Sequence, residues 1–371
     1  MTNKTDVLFK PFSYGNLNLS NRVVMAPMTR QMSPGNIPSD AVVEYYRRRA
    51  AGGVGLIITE GTCVNHPAAN YDNNIPNIWG EKALEGWKNV VDAVHAEGGK
   101  IMPQLWHVGS VRRLGSPPDP EVPGHGPSGM TMPGKVRCHV MTQEDIADVI
   151  AAFAKGARDA RAVGFDGVEI HGAHGYLLDQ FLWKGLNQRD DKWGGSMENR
   201  SRIVVEIVKA IRKETGPDFP IILRWSQWKQ QEYTARLANT PEELGTFLKP
   251  LCDAGVDIFH CSTRRFWEPE FEGSDLNLAG WVKKITGKPT ITVGSVGLDN
   301  DFIASPEEGT MFSEAKPASI DNLLERMERN EFDMVALGRA IIANADWPNK
   351  VRDGKTSELK AYTKEMLGNL E

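Results

Sequence analysis

Eight short apolar runs alternate with amphipathic stretches along the chain, and this alternation restricts the fold more than any other feature. Unbroken apolar runs are typical of parallel strands covered on both faces, because a strand with one wet face would alternate polar and apolar residues. The amphipathic stretches predict helices, with N-caps at Thr142 and Thr240 and C-cap glycines at Gly164 and Gly255. The apolar runs are 23–26, 56–59, 101–105, 168–170, 221–225, 258–261, 291–294 and 335–338.

Eight successive β-α units predict either a closed (β/α)8 barrel or a doubly wound open sheet. The strand count and the lack of an early GxGxxG motif favour the barrel, and 371 residues suit one such domain with insertions. We therefore expect one α/β TIM-barrel domain over residues 1–371, with an N-terminal extension and a long excursion after the third strand. Proline and glycine are frequent in residues 112–137 of that excursion, which indicates either a lid or a passive surface loop.

Composition argues against several classes of function. The formal net charge of −5 and a pI near 6.0 give no electrostatic footprint for nucleic acid. No window approaches the ~20 apolar residues that span a bilayer, and the first residues lack a secretion signal, so we expect a soluble cytoplasmic protein with no membrane partner. Single, scattered cysteines (Cys63, Cys138, Cys252 and Cys261) predict reduced structural thiols. A homo-oligomer is compatible with the sequence.

Small and polar residues follow the carboxyl ends of the first three predicted strands. Pro27, Met28 and Thr29 come after the first strand, Gly61 after the second, and Gln104 near the end of the third. Because the functional groups of such barrels sit at the carboxyl ends of the strands, these residues are candidates to line a site at the barrel mouth.

The segment after the fourth strand contains His171, His174 and Tyr176. Two histidines three apart beside a tyrosine can bind a metal, hydrogen-bond a substrate oxygen, or serve as satisfied polar groups under a loop. Spacing alone does not choose between these, but no third ligand stands nearby, so we predict no metal site. A zinc-dependent hydrolase that adds His260 as the third ligand is one rival reading, and a non-catalytic binding barrel is another.

The fifth and sixth strands end in further candidates. Arg224 is either an ion-pair partner or a clamp for anionic or carbonyl oxygens. Phe266 and Trp267 either form a wall of the substrate pocket or pack as two rings on a solvated loop. We retain both rings as candidate substrate-binding residues.

Glycines after the last two strands indicate a phosphate site. Gly294 and Ser295 follow the seventh strand, and Gly338 and Arg339 follow the eighth. Many barrels hold a phosphate at this place through backbone N–H groups, which glycine lets approach closely.

Taken together, these segments resemble the Old Yellow Enzyme family, and the match extends from residue 8 to residue 339. The most specific part is the run 171–180 with the following 194–200. The resemblance implies an FMN-binding barrel that acts as an ene-reductase. Such an enzyme passes hydride from NAD(P)H to the C=C bond of an activated alkene, an α,β-unsaturated carbonyl or nitro compound, by a ping-pong mechanism.

The resemblance also implies contacts with FMN. Thr29 would hydrogen-bond the flavin C4 carbonyl, with Pro27 and Met28 beside the ring. Gly61 stands where the family usually has alanine and would give backbone hydrogen bonds near N5 and O4. The other implied contacts are Gln104 to the pyrimidine edge, Arg224 to N1 and O2, and Gly294, Ser295, Gly338 and Arg339 to the phosphate.

Three further roles follow from the resemblance. His171 and His174 would hold the carbonyl or nitro oxygen of the substrate. Tyr176 would donate a proton to the α-carbon from the face opposite the flavin, so that hydride and proton add trans. A phenol pKa of about 10 suits proton donation at neutral pH.

The sequence departs from the family pattern at several places besides Gly61. His174 stands where many relatives have asparagine, the segment after the fifth strand lacks the usual Ser-Pro turn, and the 266–267 segment is unlike that of well-known relatives. These departures leave the substrate range open. A cluster-free, FMN-dependent oxidative demethylase of N-methylated amines is the closest rival, while iron–sulfur relatives need a cysteine run that is missing here.

Overall fold

A closed barrel of eight parallel strands forms the centre of the molecule, as expected from the alternating pattern. The computed structural model describes residues 4–301 and 313–371, and two stretches of the expected 1–371 domain, 1–3 and 302–312, lie outside the described residues. All eight predicted strands are confirmed, with boundaries moved by a few residues. They are β3 (Val23–Met25), β4 (Leu56–Cys63), β5 (Lys100–Trp106), β10 (Val168–His174), β11 (Ile221–Lys229), β12 (Ile258–Ser262), β13 (Thr290–Val293) and β14 (Met334–Leu337).

Helices follow the barrel strands and cover the outside of the sheet. None of the helices within 4–301 and 313–371 combines the length and apolarity that a bilayer span requires. The helices are α1 (Asp40–Ala51), α2 (Glu81–Ala96), α3 (Gln143–Val163), α4 (Leu177–Leu182), α5 (Met197–Thr215), α6 (Pro241–Ala254), α7 (Leu278–Thr286), α8 (Asp321–Glu328), α9 (Arg339–Ala343) and α10 (Trp347–Arg352).

The predicted helix ends are confirmed. Thr142 and Asp145 form a reciprocal capping box at the start of α3, and Thr240 accepts a hydrogen bond from the backbone N–H of Glu243 before Pro241 opens α6. Gly164 ends α3 with φ 106° and Gly255 ends α6 with φ 113°, a left-handed conformation that costs a glycine little.

Side chains alternate between the inside and outside of the barrel. Ile222 and Ile258 belong to the inner cluster, whereas Leu223 and Phe259 pack outward under the helices. An N-terminal hairpin of β1 (Phe12–Tyr14) and β2 (Leu17–Leu19) adds its apolar side chains to the inner cluster. The hairpin therefore closes the amino-terminal end of the barrel, and the opposite end is left for function.

The excursion between β5 and α3 has structure of its own. It contains four short strands, and the buried guanidinium of Arg112 donates hydrogen bonds to backbone carbonyls of the same segment, including that of Val122 at 3.0 Å. One arginine therefore organises a turn-rich stretch that apolar packing alone would not order. The four strands are β6 (His125–Gly126), β7 (Met130–Met132), β8 (Lys135–Val136) and β9 (His139–Val140).

Candidate active site

Four polar side chains project into the carboxyl half of the barrel. Gln104 pairs in register with Glu169, and Arg224 pairs with His260. All four are at most 8% exposed. Because Ile222 and Ile258 lie inward two residues earlier on the same strands, the period of two places Arg224 and His260 inside as well.

Glu169 is the centre of this inner polar group. Its Oε1 accepts a hydrogen bond from Gln104 Nε2 at 2.8 Å, and its Oε2 is paired with His260 Nδ1 at 2.6 Å. Neither Glu169 nor the positioning role of His260 is among the residues predicted from the sequence. A carboxylate inside the apolar run 168–170 was the available signal, because a buried charge requires a partner.

Two atoms of the inner polar group are left without a partner. Arg224 Nε and His260 Nε2 are buried and make no hydrogen bond within the described chain. Burial lowers the pKa of Arg224 while Glu169 acts to raise it. Buried polar atoms in native proteins are nearly always hydrogen-bonded, so the mouth is built to receive an acceptor-rich group, and the ring edge of FMN fits that requirement.

The loop after β3 is held at the mouth by Glu60. The backbone N–H groups of Arg30 and Gln31 donate to Glu60 Oε2 at 2.9 and 3.2 Å. Burial raises the pKa of Glu60 to about 7, although these two hydrogen bonds oppose the shift. Pro27 is buried and Thr29 is exposed. The anchored loop therefore leaves the Thr29 side chain accessible, as a ring-contacting residue must be.

Glycines allow the loops after β13 and β14 to lie close to neighbouring barrel loops. A Cβ on Gly294 would lie 2.7 Å from the carbonyl oxygen of Thr263, and Ser295 has φ 52°. Met28 Sδ lies 3.5 Å from where a Cβ of Gly338 would stand. The first and eighth barrel loops are thus neighbours, and the close approach at Gly294 excludes a larger residue.

Arg339 has a structural task besides the predicted one. Its guanidinium donates to the carbonyls of Asn300, Asp301 and Ser313 at 2.6, 3.1 and 3.0 Å. These carbonyls stand on either side of residues 302–312 in the sequence, so the arginine joins two separate chain segments to the barrel. A phosphate contact by Gly294, Ser295, Gly338 and Arg339 stays a prediction.

Three rings predicted from one short segment meet at the mouth. The ring centroids of His171 and His174 are 5.3 Å apart at 88°, and those of His171 and Tyr176 are 5.1 Å apart at 74°. His171 Nδ1 accepts a hydrogen bond from the Ala173 N–H at 3.3 Å, so in the neutral ring the proton lies on Nε2. Burial and the charge of Arg224 hold the pKa of both histidines well below the usual value.

His174 is held in a strained conformation. Its φ is 65°, its N–H donates to Ser226 Oγ at 3.1 Å, and its Nε2 lies 2.7 Å from Ser262 Oγ. The ring also stacks on Trp228, with centroids 4.7 Å apart. Left-handed backbone at a non-glycine residue persists only where its surroundings fix it, and it concentrates at functional sites.

Tyr176 faces Trp106 edge-on, with ring centroids 4.8 Å apart at 90°. Burial raises the pKa of Tyr176, against a hydrogen bond with Gln230 that lowers it, so the phenol keeps its proton at neutral pH. Trp106 also explains Gly61, because a Cβ there would lie 2.3 Å from Trp106 Cε3. The family's usual alanine at this position therefore conflicts with the indole ring of this chain.

A buried ion pair stabilises the segment that carries His174 and Tyr176. Lys229 Nζ lies 2.7 Å from Asp179 Oδ1, and both side chains are fully buried. Asp179 Oδ2 accepts a hydrogen bond from the N–H of Gly175, between His174 and Tyr176. Burial raises the pKa of Asp179 to about 6, while Lys229 opposes the rise. This pair is not predicted from the sequence, because the apolar run of the fifth barrel strand ends at residue 225.

Within the described part of the chain, Phe266 and Trp267 make no ring contact with His171, His174 or Tyr176. Phe266 is 4% exposed and packs in the core beneath the helices, and Trp267 is 37% exposed. Their rings contact each other at 5.3 Å. Among the described residues, the rings against the histidine pair are instead those of Trp106 and Trp228. Substrate binding by Phe266 and Trp267 stays a prediction.

Comparison with known proteins agrees with this architecture. The model of the NADH:flavin oxidoreductase / NADH oxidase family matches residues 7–326. Putative 12-oxophytodienoate reductase 13 of Oryza sativa subsp. japonica is 45% identical over 347 residues, covering 92% of this chain and 88% of that protein. 12-Oxophytodienoate reductase 2 of Arabidopsis thaliana is 34% identical over 357 residues, covering 92% and 87%. The structure of morphinone reductase with tetrahydroNAD has a TM-score of 0.81 at 29% identity, covering 97% and 93%.

The barrel, its polar mouth and these matches define an oxidoreductase of the flavin-dependent barrel class. The chain belongs to the NADH:flavin oxidoreductase / NADH oxidase family, the family of Old Yellow Enzyme. The resemblance inferred from the sequence is thereby confirmed, together with its cofactors, FMN and a nicotinamide nucleotide.

The contact between Gly61 and Trp106 predicts a destabilised variant. Gly61→Ala should lower the free energy of unfolding by about 1–3 kcal/mol, because the indole must move to admit a methyl group. Gly245→Ala is the control, since its nearest neighbour would be Ile285 at 3.8 Å. Urea unfolding measures both variants, and a Gly61→Ala protein as stable as the parent would contradict the contact.

The buried pair predicts a non-additive double mutant. Lys229→Met should cost about 3–5 kcal/mol, because it leaves the Asp179 carboxylate buried without its charge partner. Adding Asp179→Asn should recover part of that loss, since the amide oxygen can still accept from Gly175. The exposed Lys249 provides the control Lys249→Met, which should change stability by less than about 1 kcal/mol. Additive losses at positions 179 and 229 would exclude the pairing.

Proposed function

We propose that this chain is an FMN-dependent ene-reductase that reduces the C=C bond of an α,β-unsaturated carbonyl or nitro compound with NAD(P)H by a ping-pong mechanism. The observation that carries the proposal is the group of His171, His174 and Tyr176 at the barrel mouth, two neutral imidazoles beside a protonated phenol. The two imidazoles can donate hydrogen bonds to the oxygen of a substrate, and the phenol can donate a proton to a carbon beside it.

The proposal includes a set of contacts with the cofactor. Arg224 would hold N1 and O2 of FMN, supported by its partnerless buried Nε, and Gln104 would hold the pyrimidine edge. Thr29 would hydrogen-bond the C4 carbonyl from the loop that Glu60 anchors. Pro27, Met28 and the backbone at Gly61 would line the ring, and Gly294, Ser295, Gly338 and Arg339 would hold the phosphate.

His171 and His174 act on the oxygen of the substrate, and Tyr176 acts on its α-carbon. FMN held by the cofactor-contacting residues would supply hydride chemistry at the mouth, with NAD(P)H as the source of the hydride. His171 donates its Nε2–H to the substrate oxygen. His174 donates from Nδ1 to the same oxygen, because its Nε2 is hydrogen-bonded to Ser262 Oγ. Negative charge that develops on the oxygen is stabilised by these preorganised donors. Tyr176 delivers its phenolic proton to the α-carbon.

The role of Tyr176 is tested by separating the two half-reactions. Tyr176→Phe should leave reduction of the flavin by NAD(P)H intact and slow reoxidation by cyclohexenone by about 100-fold or more, because the proton donor is lost. The control is Tyr233→Phe, which alters an exposed tyrosine beside Trp228. Stopped-flow absorbance follows both half-reactions. Equal slowing of both in Tyr176→Phe would remove the residue from proton transfer.

Stopped-flow absorbance also distinguishes an ene-reductase from an oxidative demethylase. An ene-reductase is reduced by NAD(P)H and reoxidised by cyclohexenone. A demethylase would instead be reduced by an N-methylated amine without any nicotinamide, and that result would overturn the proposal.

The charge of Arg224 predicts a shift in flavin potential. Arg224→Met should lower the two-electron reduction potential of bound FMN by roughly tens of millivolts, because negative charge accumulates near N1 on reduction. Arg224→Lys retains the charge and should shift the potential less. Spectroelectrochemical titration of the loaded proteins measures both. An unchanged potential and unchanged FMN affinity in Arg224→Met would contradict the contact.

A further inference from the structure

Four of the chain's eight histidines, none of them His171, His174 or His260, form a second group of contacting rings. His107 Nε2 lies 2.9 Å from His66 Nδ1. The ring centroids of His66 and His125 are 5.2 Å apart, and those of His125 and His139 are 4.6 Å apart. The proposed reaction uses none of these rings, so their association needs a separate explanation.

The outer end of this histidine group adds a carboxylate. His125 on β6 and His139 on β9 are paired in register, and His139 Nε2 lies 2.7 Å from Asp145 Oδ2 in the first turn of α3. One ligand atom from each of these three residues lies within 4.8 Å of the other two. Zn²⁺ bonds of about 2.0–2.2 Å in a tetrahedron separate ligand atoms by about 3.3–3.6 Å, so side-chain shifts of about 1 Å would complete the geometry.

His125 offers this group a nitrogen with no other partner. His125 Nδ1 is buried and has no hydrogen-bond partner among the described residues. His139 Nε2 and Asp145 Oδ2 are hydrogen-bonded to each other, so a bound ion would take the place of the proton between them.

We propose that His125, His139 and Asp145 form a binding site for Zn²⁺, with solvent in the fourth position. Two imidazoles and one carboxylate suit a transition metal and not Mg²⁺ or Ca²⁺, which prefer oxygen ligands only. The side chains of His139 and Asp145 are 38% and 23% exposed, so an ion can enter from solvent. The site departs from the sequence-based expectation of no metal because its ligands come from three separate elements.

Binding at this site would have a structural effect. The β6–β9 ladder contains only two residue pairs, and it is the part of the excursion that contacts the start of α3. An ion bound by β6, β9 and α3 would fix the excursion to the barrel wall. Zn²⁺ should therefore raise the melting temperature of the protein.

The test uses the untagged, FMN-loaded chain, freed of metal by chelation. Calorimetric titration with Zn²⁺ should give one ion per chain, and metal analysis after gel filtration should agree. His125→Gln, His139→Gln and Asp145→Asn should each weaken binding more than about 100-fold, since even outer-shell changes cost ~10–100-fold. Asparagine at position 145 can still cap α3, and flavin content verifies that each variant is folded.

Two control variants make the result specific. His95→Gln alters a histidine with the same 2.7 Å contact to a carboxylate, Asp166, but outside any group of three ligands. Cys138→Ser removes a free thiol next to His139. Both should bind Zn²⁺ as the parent does, and only the three ligand variants should lose the rise in melting temperature. The site is refuted if the parent binds no Zn²⁺, if the ligand variants bind equally well, or if either control loses the ion.

Discussion

The inward alternation of the barrel strands is the constraint on which the rest of the structure depends. Within two residues along β11 and β12 the inner side chains change from Ile222 and Ile258 to Arg224 and His260. The barrel therefore has an apolar lower half, closed by the N-terminal hairpin, and a polar upper half that is equally buried. A charged side chain buried in this half of the barrel requires an ion-pair or hydrogen-bond partner. Glu169 satisfies part of this requirement, and a bound cofactor would satisfy the remainder.

Local patterns in the sequence predict a large part of the molecule. The eight strands, the caps at Thr142 and Thr240, and the meeting of His171, His174 and Tyr176 follow from periodicity and from residues close in sequence. Each of these features depends on interactions between residues that are only a few positions apart in the sequence. The barrel closure then brings the strand ends to one mouth, as the fold requires.

Features that depend on distant residues could not be predicted in this way. Trp106 occupies the space of a Cβ at Gly61, and this becomes visible only when β4 and β5 are paired. Lys229 lies on a strand that continues four residues beyond the predicted end, where Ser226 and Gln227 interrupt the apolar run. The burial of Phe266 could not be predicted either, because an aromatic side chain on a loop after a strand suits both a core and a pocket.

The departures from the family pattern have physical reasons in this chain. The strand extension that replaces the Ser-Pro turn supplies Trp228, which stacks on His174, and Lys229, which pairs with Asp179. Both contacts fix the strained segment that carries the proposed oxygen-binding and proton-donating groups. The rings against the histidine pair thus include the indoles of Trp228 on β11 and Trp106 on β5.

The proposed geometry, with hydride arriving from the flavin and the proton from Tyr176, requires that the two hydrogens enter from opposite faces of the alkene. The most direct measurement is the stereochemistry of 2-methylcyclohexenone reduction with 4-deuterated NAD(P)H in water and, separately, with unlabelled NAD(P)H in deuterium oxide. The account predicts cofactor deuterium at the β-carbon, solvent deuterium at the α-carbon, and a trans relation between the two added hydrogens. Cis addition, or solvent deuterium at the β-carbon, would contradict it.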